Sequence, residues 1–313
     1  MTVAFVFPGQ GSQSIGMGKE LADAFTEARE VFEAVDDALS QNLSKLMFAG
    51  DGDELTMTEN AQPALMAVSM AVMAVLEKQG GLNIAEHIKC VAGHSLGEYS
   101  ALAAARTFTV ADTARLLKTR GQAMQDAVPV GKGAMAALIG LDAEDAEIIV
   151  KAVSGVCDFA NDNAPGQVVI SGEKDAVEQA MELAREKGAR RAMLLPVSAP
   201  FHSALMAPAQ DVMADALANV EMNAPMVPLV ANVTANATSD PVAIREQLVV
   251  QVAGRVRWRE SIEYIKSAMG VDTIVEIGAG KVLSGLNRRI DRGIKSLNAQ
   301  GPDDIETVVE ILS

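Results

Sequence analysis

This sequence predicts an α/β fold, a parallel sheet flanked by helices and interrupted by a smaller βαββαβ unit. Three observations predict it. Short apolar runs alternate with amphipathic helical stretches over most of the chain. A glycine-flanked serine turn, Gly93-His94-Ser95-Leu96-Gly97, joins one such run to a strong helix former. Between Gly133 and Pro196 the alternation gives way to strand, helix, strand, strand, helix, strand.

Taken in order, residues 3–7 (VAFVF) form a first strand, followed by the glycine-rich loop Pro8-Gly9-Gln10-Gly11-Ser12-Gln13. Helices are expected over 18–39 and 61–78, a strand over 88–92, and helices from Glu98 and over 110–127. The small unit has strands at 134–139, 156–160, 167–171 and 191–195, with helices at 143–153 and 174–187, the ferredoxin-like order. Gly131, Lys132 and Gly133 mark its entry, and Pro196 with Pro200 its exit. A helix over 206–219 and strands at 226–231 and 273–277 complete the pattern. The expected organisation is a large domain from residues 1–130 and 197–313, carrying a ferredoxin-like insert at 131–196.

With 49% hydrophobic and 21% charged residues, the composition is that of an ordinary globular protein. A net charge of −15 argues against nucleic acid as a partner. No segment approaches the apolar length of a membrane helix, and the N-terminus reads as a strand rather than a signal peptide. Cys90 and Cys157 lie in apolar runs and read as buried thiols, which suits a reducing cytoplasm. Metal-ligand spacing is lacking, so no metal is expected. Basic residues gather late in the chain (Arg255, Arg257, Arg259, Lys281, Arg288, Arg289, Arg292), with a smaller group at Lys187, Arg190 and Arg191. On so acidic a chain they are either solvated faces or a local dock for an acidic partner.

The serine turn carries the chemistry. G-x-S-x-G between a strand and a helix is a nucleophile elbow, the arrangement of α/β-hydrolase-like folds, and it points to acyl transfer on Ser95. The Leu96 amide, at the helix N-terminus, faces the place where an oxyanion would form. Serine needs a base. His94 diverges from its neighbour at such a turn, and His87 follows Glu86 in a polar stretch. His202, on the loop Ser198-Ala199-Pro200-Phe201-His202-Ser203 after the insert, is the better base. The acids Asp158, Asp162 and Asp175 fall in the insert, so a dyad is expected rather than a triad. On the helix from Val110, about 100° per residue places Arg120 on the inward flank, where a guanidinium needs a carboxylate from the protein or from a ligand. Neither the 8–13 loop nor Gly278-Ala279-Gly280-Lys281 has the spacing of a nucleotide-binding loop. The former is placed to lend a backbone amide to an oxyanion hole.

Together these residues resemble the bacterial malonyl-CoA:acyl carrier protein transacylases of type II fatty-acid synthesis. The resemblance runs through F-P-G-Q-G-S-Q at 7–13, G-H-S-L-G-E at 93–98, T-R-G-Q-A-M-Q at 119–125 and N-A-P-G-Q-V-V-I-S-G at 163–172. It continues through P-F-H-S-A-L-M at 200–206, L-V-V-Q-V at 248–252 and E-I-G-A-G-K-V-L at 276–283. It implies a ping-pong reaction in which malonyl passes from malonyl-CoA to Ser95 and then to the carrier protein's phosphopantetheine thiol, without a cofactor. It further implies His202 as base, Gln10 and Leu96 amides as oxyanion hole, and Arg120 as reader of the malonyl carboxylate. The Gln251 main-chain carbonyl would orient the histidine, with Asn163 and His94 in support. By the same resemblance, the bulky Phe201 beside the histidine implies malonyl over methylmalonyl, since relatives that take the latter tend to have a smaller residue there; Gly278-Ala279-Gly280 stands where the family commonly has glycine-proline-glycine. Three rivals remain at this stage: a serine esterase or thioesterase on the same elbow, a silent carrier-docking module, and the same chemistry serving polyketide synthesis or a malonate decarboxylase.

Overall fold

The computed structural model describes residues 1–312 and contains two sheets. The first has six strands, β1 (Val3–Phe7), β2 (Ile88–Gly93), β7 (Leu229–Val230), β8 (Ala237–Thr238), β9 (Thr273–Ile277) and β10 (Lys295–Ala299), in the order β10-β9-β1-β2-β7-β8. All its pairs are parallel except β7 with β8. The second sheet comprises β3 (Gly133–Ile139), β4 (Cys157–Ala164), β5 (Gln167–Glu173) and β6 (Arg191–Leu194). It is antiparallel throughout, in the order β4-β5-β3-β6, the ferredoxin-like arrangement of two interleaved βαβ units.

Side-chain alternation explains why β1 reads as an unbroken apolar run. Val3, Phe5 and Phe7 enter the main core, while Ala4 and Val6 enter a second cluster around Trp258 on the other face. Both faces of the sheet are thus covered, as a parallel sheet requires. The same period of two operates in β3. Ala136 and Leu138 pack under the helices Ala143–Ala152 and Lys174–Glu186, whereas Met135 and Ala137 turn toward the main core.

Several expected elements differ in detail. The helix expected over 18–39 is two, Lys19–Ala24 and Thr26–Leu39, broken where Phe25 adopts extended backbone (φ −129°, ψ 127°). The helix expected over 206–219 is a short 3-10 turn, Ala204–Met206, followed by Ala207–Ala218. Strand β4 runs on through the polar Asn161-Asp162-Asn163, which its composition disguised as loop. Strands β8 and β10 had no expectation at all; both are short or edge elements with few apolar residues. The expectation that no segment reaches membrane length is also corrected. Within the 21-residue helix Thr58–Lys78 one apolar stretch has a mean hydropathy of 1.2, but 89% of that stretch is buried inside the fold. Cys90 and Cys157 are free and buried, as expected.

Candidate active site

Ser95 sits at the carboxyl end of β2, where open α/β sheets place their sites. Its backbone is left-handed (φ 53°), a conformation a serine holds only under compulsion. Sterics supply part of that compulsion. A Cβ on Gly93 would lie 1.9 Å from the Gly97 carbonyl oxygen, and one on Gly97 would lie 2.2 Å from that of Phe7. The turn closes because neither residue has a side chain. Asn232, just after β7, completes the clamp: its Oδ1 accepts from the Ser95 amide at 2.8 Å and its Nδ2 donates to the Gly93 carbonyl at 2.6 Å.

The structure brings His202 to Ser95, with Nε2 2.7 Å from Oγ. The histidine Nδ1 lies 3.0 Å from two main-chain carbonyls, Gln251 O and Gly254 O. Carbonyls only accept, so the proton resides on Nδ1 and Nε2 presents a lone pair to the serine hydroxyl. The tautomer needed for a general base is therefore built in without an acid. Burial first, then the nearby Arg120 charge, push the His202 pKa down to about 3, so the ring is neutral when it meets the serine.

Arg120, on helix Val110–Asp126, is 1% exposed. Nη1 donates to Gln62 Oε1 at 2.8 Å; Nη2 donates to Gln251 Oε1 at 2.9 Å and to Ser95 Oγ at 3.1 Å. Every acceptor is neutral, and among the described residues no carboxylate lies within ion-pair distance of it. A cavity of about 530 Å³ opens above these groups, lined by Gln10, Gly11, Ser95, Leu96 and Arg120 from one side and by Met135, Asn161 and Leu195 from the other. Phe201, His94 and His202 complete its wall.

Of the remaining predicted residues, the Gln10 and Leu96 amides have no protein acceptor among the described residues, and both residues face the cavity. Asn163 Oδ1 pairs with His94 Nε2 at 2.8 Å, so His94 is turned away from the serine and tilted against Trp258. The shifts of register in β4 on either side of Asn161 and Asp162 re-aim this polar segment. His87 is exposed, and its Nδ1 accepts from the Asn83 amide, away from Ser95. Arg255, Arg257 and Arg259 are corrected as members of a free basic patch: they are half-buried and paired with Glu147, Glu260 and Asp162 respectively.

Sequence reasoning missed Gln62, Glu98, Asn232 and Gly254. Two carried a signal. Gln62 and Glu98 are polar residues in the helices Thr58–Lys78 and Gly97–Ala104, which are otherwise largely apolar and buried. Asn232 and Gly254 lie in loops, and nothing local marks them.

A serine at an elbow, a neutral histidine poised on it and a buried arginine beside both define a serine acyl-transfer protein. Residues 4–307 match the acyl transferase domain model. The chain is 44% identical over 313 residues to the malonyl CoA-acyl carrier protein transacylase of Bacillus subtilis, covering 99% of this chain and 97% of that one. The crystal structure of an acyl-carrier-protein-S-malonyltransferase from Bartonella henselae superposes with a TM-score of 0.97 at 61% identity, covering 100% of this chain and 99% of the other. A malonyl-transacylase solved in complex with a type II PKS acyl-carrier protein gives 0.95 at 42% identity, over 99% and 100% of the two chains. The chain belongs to the malonyl CoA-acyl carrier protein transacylase family.

Proposed function

We propose that the protein moves a malonyl group from CoA to the phosphopantetheine thiol of an acyl carrier protein, through an ester on Ser95, to supply fatty-acid elongation. The observation that carries this reading is Arg120: a buried guanidinium with no protein carboxylate, 3.1 Å from the nucleophile and open to the cavity. A burial so costly in desolvation fits a ligand carboxylate as the intended partner.

In the loading half, His202 Nε2 takes the Ser95 proton as Oγ attacks the thioester carbonyl. The tetrahedral oxyanion is held by the Gln10 and Leu96 amides, each worth on the order of 100-fold or more in rate. Collapse breaks the C–S bond, and the thiolate takes the proton back from the imidazolium. In the second half the carrier thiol gives its proton to His202, its sulfur attacks the ester, and Ser95 leaves reprotonated. Gln251 holds the histidine through its carbonyl, and the His94–Asn163 pair supports the wall of the site. Phe201, 7% exposed against the cavity, disfavours a methyl branch on the acyl group.

The reading treats residues 131–196 as an inserted domain that closes the cavity with Met135, Asn161 and Leu195. It places the protein in the cytoplasm, in keeping with two free buried thiols. Intact-protein mass after mixing with malonyl-CoA tests the reading. The wild type should gain one malonyl group, Ser95→Ala none. Arg120→Ala should load malonyl about 100-fold more slowly while narrowing the preference over acetyl-CoA. Release of free malonate without an adduct would favour a hydrolase instead.

A further inference from the structure

Arg120 raises a question that its hydrogen bonds do not settle. A cation at 1% exposure with only neutral acceptors is an uncompensated buried charge, a costly thing for a fold to keep. Compensation exists one step away. Gln251, itself fully buried, accepts from Arg120 Nη2 with its Oε1 and donates through Nε2 to Glu98 Oε2, each at 2.9 Å. The same Nε2 donates to the Ser95 carbonyl at 2.9 Å. Glu98 is 0% exposed, in the first turn of helix Gly97–Ala104, where the helix dipole favours a negative charge. Its Oε2 also accepts from the Asn232 amide at 3.1 Å, while Oε1 meets no hydrogen-bond partner among the described residues.

Both groups bonded to Glu98 are donors to Oε2, and each bond strengthens when the group carries a negative charge. Burial pushes its pKa up to about 7, against the pull of Gln251, Asn232 and the Arg120 charge.

We propose that Glu98 is the buried counter-charge of Arg120, held one amide away by Gln251 so that the guanidinium stays free for a substrate carboxylate. This rests on the reading of Arg120 as the malonyl anchor and explains how that anchor is kept buried without a directly bonded protein carboxylate. A direct Arg120–Glu98 ion pair would have to be broken by each incoming substrate. A mediated pair lowers the cost of the buried cation while leaving it only neutral amide and hydroxyl partners, which an incoming carboxylate can displace at less cost than a bonded anion. The bond directions fix the Gln251 amide: its oxygen faces the cation and its nitrogen the anion. Glu98 is thus a positioning residue. Asn232, which ties the same carboxylate to the Ser95 amide, couples the counter-charge to the elbow.

A double-mutant cycle in thermal unfolding tests this, using Glu98→Gln, Arg120→Met and the combined variant, each with and without malonate at matched ionic strength. Glu98→Gln keeps the shape and deletes the charge. The expected result is a clear loss of Tm in Glu98→Gln, partly recovered when Arg120→Met removes the stranded cation. Malonate should raise the Tm of Glu98→Gln more than that of the wild type, which a merely structural role would not produce. Should Glu98→Gln fail to fold, recovery of a folded protein in the double variant supports the proposal, and its failure overturns it. Additive Tm losses with equal malonate responses overturn it too. Malonyl loading of the wild type is measured alongside. If the wild type does not load, the reading of Arg120 as malonyl anchor fails, while the cycle still reports on the charge pair.

Discussion

The elbow and the histidine loop hold Ser95 and His202 in nearly the same strained backbone, φ 53° and 57°, but by different means. The serine is fixed first by its neighbours in sequence, two glycines whose missing side chains let β2, the turn and the following helix close up, with Asn232 adding one distant clamp. The histidine is fixed from far away. Gln251 and Gly254, 49 and 52 residues downstream, hold its ring, and Asp158 in β4 accepts from the Ala204 amide beyond it. The geometry of the proposed nucleophile is therefore largely part of the sheet, whereas that of the proposed base is laid onto it by tertiary contact. Damage to the first should cost fold and chemistry together; damage to the second should cost chemistry.

The largest expected effect breaks the elbow. Gly93→Ala sets a methyl against backbone atoms that have nowhere to go, so a loss of about 3 kcal/mol or more, a Tm fall of roughly 5–10 °C and abolished loading are expected. His202→Ala should lower malonyl loading by about 10²–10⁴-fold with a smaller fall in Tm. Calorimetry beside single-turnover loading checks both. Equal Tm losses in the two variants would erase the distinction.

A pH experiment sharpens the same contrast. His202 has a folded-state pKa of about 3, below the ordinary 6.5 that it regains on unfolding. Between those values the unfolded chain binds a proton that the folded one refuses. The stability associated with the neutral ring is present above pH 6.5 and is lost as pH falls toward 3, at up to about 1.4 kcal/mol per pH unit. Replacing the histidine by glutamine removes this linkage. Wild type and His202→Gln should therefore converge in Tm as pH is lowered from 7 to 5, and parallel curves would show that the ring is not held neutral.

The contrast also explains what was legible in the sequence. Ser95 announces itself because the glycines its turn requires lie within five residues, and strands such as β1 do so because both their faces are buried. Arg120 was legible by helical angle, but not the absence of a protein carboxylate, which depends on what residues 62 and 251 bring to it. Asn232 and Gly254 were hidden because their parts are played against residues more than 50 positions away in most cases, from loops without periodicity. Phe25 shows the limit of periodicity itself. The amphipathic pattern continues through it, yet the chain bends there so that both flanking helices reach the core through Leu21, Ala28 and Phe32.

The smallest expected effect lies outside both regions and leaves each intact. Strand register sets Arg191 of β6 against Ile139 of β3, which faces Gln167 of β5, and Gln167 Oε1 accepts from Arg289 Nη1 at 2.6 Å. Arg190 packs beside Gly140 at the same end, so three exposed arginines gather there, while Lys281 stands at the opposite end of the helix that carries Arg289. That end of the sheet is distant in register from Met135 and Leu195, which line the cavity. We propose this cluster as a dock for an acidic carrier protein, against the chain's own net charge of −15. Arg191→Glu with Arg289→Glu should leave malonyl loading from CoA unchanged and stability within about 0.5 kcal/mol. Transfer to carrier protein should fall roughly 3–10-fold at low salt, and the gap should shrink as salt screens the surface charges. Separate rates for the two half-reactions decide it: a shared loss would place the arginines in the fold or the site, and no loss would move the dock elsewhere.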